Sequence, residues 1–194
     1  VEAVLKEIRI HGRGGQGSVT AAELLAHAAF FEGKWVQAFP YFGAERRGAP
    51  VKAFARVSEE PILVHSQVYS PDYVIVLDPL IHRVVDVTEG LKSGGLILFN
   101  TKKKPDEMGV KGMRVGTVDA TGIALELNLQ VAGQPVVNTS IIGAYAKATG
   151  EVRLDSVVKA VKETWIGSAG DKNARAAELA FERVVLGSGG GGCV

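Results

Sequence analysis

The residues best able to do chemistry in this chain of 194 residues lie in one run, His11-Gly12-Arg13-Gly14-Gly15-Gln16-Gly17-Ser18. Glycines at 12, 14, 15 and 17 let the backbone take positive φ and let a ligand approach it closely. The Ala- and Leu-rich run from Ala21 to Ala29 turns the end of this loop into a helix start, where unpaired N–H groups attract an anion. That chemistry is the cradling of a phosphate or a polar chain, with Gly14, Gly15, Gln16, Gly17 and Ser18 as candidate contacts. A second set, Arg46 and Arg47, stands in a loop bracketed by Pro40 and Pro50, beside Tyr41 and Phe42. Guanidinium groups among aromatic side chains suit an anion or a partner, and a solvated charge pair is the ordinary alternative.

Gly12-x-Gly14-x-x-Gly17 has the spacing of the dinucleotide fingerprint. An NAD site also needs an acid at the end of the second strand, roughly 20 residues past the glycines. Here that strand reads Gln37-Ala38-Phe39-Pro40, and Glu32 belongs to the end of the preceding helix. A P-loop fails as well, because Ser18 stands where the phosphate-binding lysine is needed. No catalytic constellation emerges. His11, His27, His65 and His82 are scattered, with only His11 at the glycine loop. Ser18 and Ser140 have no evident base, the carboxylates show no paired spacing, and no set of metal ligands stands out.

The elements that must position these groups alternate between β and α. Residues 7–11 read as a strand, 17–32 as a helix, and 35–39 and 51–57 as two strands close enough to pair antiparallel. Tyr73-Val74-Ile75-Val76-Leu77 is the near-continuous apolar run of a central strand covered on both faces. Asp78-Pro79 reads as the cap and first position of a helix reaching about Leu91, which leads to the strand 96–99 and completes a βαβ unit. A short strand at 113–118 and helices at 120–129, 138–149, 154–165 and 174–185 follow. The expected fold is α/β, a Rossmann-like, mixed but mostly parallel sheet with helices on both faces. The ligand should sit at the carboxyl ends of the strands. We expect one domain over 1–186 and a flexible Gly-rich tail over 187–194.

Composition narrows the function classes. With 22 basic and 21 acidic residues the net charge is +1, which gives no footing for nucleic acid or an anionic membrane. A single cysteine, Cys193, allows neither an internal disulfide nor an iron–sulfur cluster held by this chain alone. No apolar run reaches the roughly 18 residues of a transmembrane helix, and no signal-like segment opens the sequence, so a cytoplasmic location is expected.

Four stretches together carry a resemblance. They are His11-Gly12-Arg13-Gly14-Gly15-Gln16-Gly17, the loop from Phe39 to Pro50, Asn138-Thr139-Ser140-Ile141-Ile142-Gly143, and Asp171-Lys172-Asn173. The chain resembles, from about Glu7 to Val185, the γ subunit of 2-oxoacid:ferredoxin oxidoreductases, whose best-known member is pyruvate:ferredoxin oxidoreductase (pyruvate synthase).

The resemblance implies CoA-dependent oxidative decarboxylation of a 2-oxoacid, most simply pyruvate, to an acyl-CoA, CO2 and reduced ferredoxin. Thiamine diphosphate with Mg2+ and the 4Fe-4S clusters are expected on alpha, beta and delta-type partner subunits, with ferredoxin as the acceptor for the complex. This chain would close over the active site, help bind coenzyme A (CoA), and be inactive alone. By the same resemblance, Gly14, Gly15, Gln16, Gly17 and Ser18 would hold CoA phosphate or pantetheine. Arg46 or Arg47 would meet its 3′-phosphate or pyrophosphate, Asn138 would add a polar group at a helix start, and Lys172 would stand at the rim. The alternatives are a purely structural assembly subunit of the same complex and a stand-alone NAD-binding Rossmann protein.

Overall fold

A computed structural model describes residues 5–41 and 48–187. Arg46 and Arg47, and the tail from residue 188, lie outside the described residues. The strands are β1 (Lys6–Arg13), β2 (Trp35–Tyr41), β3 (Pro50–Ser58), β4 (Tyr73–Val76), β5 (Leu96–Asn100), β6 (Arg114–Val118), the short pair β7 (Gln130–Val131) and β8 (Gln134–Pro135), and β9 (Val185–Gly187). The α-helices are α1 (Ser18–Phe30), α2 (Ala120–Glu126), α3 (Asn138–Thr149), α4 (Leu154–Thr164) and α5 (Ser168–Arg183).

Seven strands form one sheet in the order β2-β3-β1-β4-β5-β6-β9. The four central strands β1, β4, β5 and β6 are parallel, and β2, β3 and β9 join antiparallel at the edges. The expected layered α/β fold with a mixed sheet is what forms, with the hairpin β2–β3 paired as the short connection requires. β9 takes up Gly187, the residue expected to open the tail, and pairs it with Val115.

The expectation of helices on both faces of the sheet is corrected: the α-helices cover one face only. Ile8, Ile10, Ala53, Ala55, Ile75, Leu77 and Leu98 point to one face, where all five α-helices pack into a single core. That follows from the period-two alternation of strands meeting Ala-rich helix stripes. On the other face Val74, Val76, Ile97 and Phe99 are covered by Ile81, Val87 and Leu91 from irregular segments and two 3-10 turns, Ile81–Arg83 and Pro105–Met108.

The helix expected from Pro79 to Leu91 is therefore corrected to a single 3-10 turn. Val84, Val85, Val87 and Thr88 are β-branched and lose side-chain freedom in a helix. Asp86 instead accepts from the Thr88 N–H and hydroxyl, which closes a local turn. The extended path also frees the carbonyls of Val87 and Glu89 to accept from the Arg9 guanidinium, which a helix would have consumed. α5 starts six residues before the expected 174, at Ser168. Among the described residues no helix is long and apolar enough to cross a membrane.

Candidate functional site

The glycine loop sits at the carboxyl end of β1, beside β4, where a parallel sheet leaves its crevice. Its shape is dictated locally. Gly15 and Gly17 take φ of 93° and 81°, the left-handed region that favours glycine. Gly12 is needed for space, since a Cβ there would overlap the Ser18 hydroxyl. Gln16 closes the turn from both ends: its N–H donates to the Arg13 carbonyl at 3.0 Å, and its Oε1 accepts from the Arg13 N–H at 2.7 Å.

One long-range carboxylate locks that turn. Asp78 Oδ2 accepts from Arg13 Nε at 3.1 Å and from Gln16 Nε2 at 3.0 Å, while Oδ1 accepts from the Leu80 N–H at 2.8 Å. Asp78 is thus not the helix cap it resembles in sequence; it bridges β4 to the glycine turn. Arg13 NH1 donates further to the Gly48 carbonyl, and Gly14 N–H to the Ala49 carbonyl. The chain therefore re-enters the described structure, one residue after Arg47, at the glycine turn itself.

Two helix starts meet here. Gly17 precedes α1, and a Cβ built on it would lie 2.7 Å from Asn138 Nδ2, the first residue of α3. Asn138 is buried, and its Oδ1 accepts from the Thr139 N–H at 2.8 Å. The first turns of both helices carry a buried hydroxyl without a hydrogen-bond partner among the described residues, Ser18 Oγ and Ser140 Oγ. Burying a hydroxyl unpaired costs free energy, so such groups mark a place where a ligand could supply the missing partner. With N–H groups and dipoles of two helices converging, the partner favoured is anionic or strongly polar.

The structure thus gathers Gly14, Gly15, Gln16, Gly17, Ser18 and Asn138, and adds Arg13 and Asp78, which the sequence pattern did not single out. The side chain of Gln16 is consumed in the turn. Lys172 is exposed on α5 and makes no hydrogen bond or ion pair to the site among the described residues. Its neighbour Asn173 is the buried member of that motif. Asn173 Oδ1 accepts from Thr139 Oγ1 at 3.1 Å and Nδ2 donates to the Ala169 carbonyl at 2.9 Å, tying α5 to the start of α3.

His11 does not face a ligand as a base. It is 1% exposed on the opposite face of β1, and its Nε2 accepts from Arg9 Nε at 2.9 Å. Burial, then the charges of Arg9 and Lys52, lower its pKa to about 3. The NAD reading also meets a topological obstacle. The strand after the glycine helix is β2, the sheet edge, separated from β1 by β3. Its described end, Phe39-Pro40-Tyr41, carries no acid for a ribose.

Residues 7–183 match the family Pyruvate ferredoxin/flavodoxin oxidoreductase. The chain belongs to that family. It is 56% identical over 184 residues to the "Pyruvate/ketoisovalerate oxidoreductases common subunit gamma" of Thermococcus kodakarensis, covering 93% of this chain and 97% of that one. It is 56% identical over 178 residues to "Pyruvate synthase subunit PorC" of Methanothermobacter marburgensis, covering 92% and 97%. In structure it is similar to the pyruvate oxidoreductase subunit PORC of Thermotoga maritima, with a TM-score of 0.80, 34% identity, and 95% and 99% of the two chains covered. It also superposes on 31% of a 2-oxoglutarate:ferredoxin oxidoreductase chain from Magnetococcus marinus, whose structure holds 2-oxoglutarate, coenzyme A and succinyl-CoA. There the TM-score is 0.72 over 92% of this chain, and the 17% identity speaks for the fold alone. This is a gamma-type chain of an oxidoreductase family.

Proposed function

We propose that this chain is the gamma subunit of a cytoplasmic 2-oxoacid:ferredoxin oxidoreductase, with pyruvate its first candidate substrate. In this reading its glycine turn binds part of coenzyme A. The reaction joins the acyl group of the 2-oxoacid to the CoA sulfur, releases CO2 and passes two electrons to ferredoxin. Thiamine diphosphate with Mg2+ and the 4Fe-4S clusters belong to alpha, beta and delta-type partners. The present chain contributes binding and closure, with no catalytic residue of its own.

The observation that carries the CoA reading is the meeting of α1 and α3 at Gly17 and Asn138, with Ser18 and Ser140 hydroxyls left without partners among the described residues. A phosphate or the amide-rich pantetheine arm supplies acceptors for such donors, and no ribose-binding acid is required. In this reading Arg46, or Arg47, meets the 3′-phosphate or pyrophosphate, and the described chain resumes just after them at Gly48, whose carbonyl accepts from Arg13. Lys172 takes the rim in this reading.

The test is Arg46→Ala in the assembled oxidoreductase. Loss of a charge-assisted phosphate contact of about 1.5–3 kcal/mol raises the KM for CoA roughly 10- to 150-fold, with the KM for the 2-oxoacid unchanged. An unaltered CoA dependence overturns the assignment.

A second reading, a structural assembly subunit, is favoured by a different observation. The side chains of Arg13 and Gln16 are satisfied within the chain, and grooves of about 530 and 470 Å³ lie away from the glycine turn. On that reading the loop contacts a partner chain and Arg46→Ala weakens assembly instead of CoA use.

A further inference from the structure

Of the motif Asp171-Lys172-Asn173, the proposed function uses only the lysine at the rim. Asp171 and Lys172 are both exposed, and Asp171 pairs with Lys162 of α4 at 3.2 Å. Asn173 turns the other way. With Gly170, Ala174 and Ala177 it forms the i, i+3, i+4, i+7 stripe that α5 buries. It is the only one of those four residues whose side chain can hydrogen-bond.

The contacts of this face with α3 come in one order. Thr139 Oγ1 donates to Asn173 Oδ1 at 3.1 Å, Gly143 packs against the Ala177 backbone, and the Lys147 ammonium lies 5.0 Å from the centre of the Phe181 ring. Each step is four residues, about one turn, on both helices. The helices therefore run side by side in the same sense, and the Thr139–Asn173 bond is the rung nearest the start of α3. Gly143 sets how near the two helices come. The directional bond at Thr139 sets how α3 is turned about its own axis.

That angle matters to the glycine turn. Successive helical residues differ by about 100° around the axis, so with Thr139 held to α5, Asn138 and Ser140 point away to either side of it. Asn138 is thereby set against the start of α1, where a Cβ on Gly17 would lie 2.7 Å from its Nδ2. An asparagine at 173 suits the task. Its Nδ2 donates to the Ala169 carbonyl, four residues back on its own helix, which leaves Oδ1 aimed at α3. An aspartate would accept from Thr139 but could not donate to Ala169. It would also set a negative charge beside two helix starts that favour an anion.

We infer that Asn173 is a positioning residue: it touches no ligand, and through Thr139 it holds Asn138 and Ser140 at the angle at which they meet coenzyme A. This rests on the CoA reading of the site. The experiment is steady-state kinetics on the assembled oxidoreductase, with CoA and the 2-oxoacid varied in turn. Asn138→Ala removes a side chain of the proposed site itself and serves as the reference. Asn173→Ala and Thr139→Val break the rung from its two sides, and Thr139→Ser keeps the hydroxyl.

We expect Asn173→Ala and Thr139→Val each to raise the KM for CoA roughly 3- to 10-fold, the worth of one ordinary hydrogen bond. The kcat at saturating CoA and the KM for the 2-oxoacid should hold, and Thr139→Ser should stay near the parent. Because Asn173 acts through Asn138, combining Asn138→Ala with Asn173→Ala should raise the KM by less than the product of the single effects. A merely structural role would lower the amount of assembled enzyme, and with it the apparent kcat, and leave the KM for CoA alone. A KM for CoA raised by Asn138→Ala but untouched by Asn173→Ala and Thr139→Val overturns the inference and leaves the CoA reading standing. One untouched by all three removes both. Independent effects in the double variant overturn the inference as well. If Asn173→Ala does not assemble, Thr139→Val and Thr139→Ser decide the matter.

Discussion

Arg9 Nε donates to His11 Nε2 at 2.9 Å, two positions along one face of β1, and this bond settles the state of the imidazole. A nitrogen that accepts from a guanidinium carries no proton, so the proton of His11 is on Nδ1. Arg9 is itself buried, with its other contacts on the Val87 and Glu89 carbonyls, so the pair holds an irregular covering segment onto the sheet. Burial strips water from a charged imidazolium, and the Arg9 guanidinium repels it, so both lower its pKa.

The pH dependence of stability follows from that shift. His11 falls from 6.5 to about 3 on folding, so the unfolded chain binds the extra proton between those values. Its contribution is complete above 6.5 and is lost as pH falls toward 3, with a slope of about 1.4 kcal/mol per pH unit. His11→Gln keeps an acceptor for Arg9 and does not titrate. Denaturant unfolding of that variant from pH 7 to pH 4 should show a flatter loss of stability than the parent.

Asp78 is expected to govern the shape of the glycine turn. Replacing it by Ala strips the acceptor from Arg13 Nε and Gln16 Nε2 together. A loss of about 1.5–3 kcal/mol in unfolding free energy is expected for the charge-assisted bonds alone. On the proposed function, the same variant in the assembled enzyme raises the KM for CoA while the 2-oxoacid KM holds. A turn that tolerates Asp78→Ala without either change is not held by this carboxylate.

The crossing of α3 and α5 depends on Gly143. A Cβ there would overlap the backbone carbonyl of Ala177, which has no rotamer with which to yield. Gly143→Ala should separate the helices and destabilise the chain by about 3 kcal/mol, the upper end of ordinary overpacking. A glycine with nothing within 4 Å of the built Cβ, such as Gly112 at φ 73°, gives the contrast: strain from its positive φ alone, about 1–2 kcal/mol. Thermal melts of the two variants should separate clearly.

Sequence alone determined what depends on near neighbours along the chain. The strand, glycine turn and helix from Lys6 to Phe30 were legible because alternation, a lack of Cβ atoms and an Ala-rich stripe each act within a few residues. The start of α3 at Asn138 was legible for the same reason, whereas the strand expected to stop before Pro40 runs on to Tyr41, pairing Pro40 with Ala53. Tertiary structure alone decided what depends on which segments meet. Asp78, 65 positions from Arg13, reads as a helix cap until the fold sets β4 beside β1 and gives its carboxylate to the turn. Asn138 becomes part of the site only because α3 starts against Gly17. The segment after Pro79 has the cap and the apolar spacing of a helix. It was drawn out instead by a demand from across the sheet, the carbonyls needed by the buried guanidinium of Arg9. The position of β2 at the sheet edge, separated from β1 by β3, is likewise a matter of strand order. Local propensity is carried by the chain near each residue, whereas buried charges and strand order are settled by the burial of the whole sheet at once.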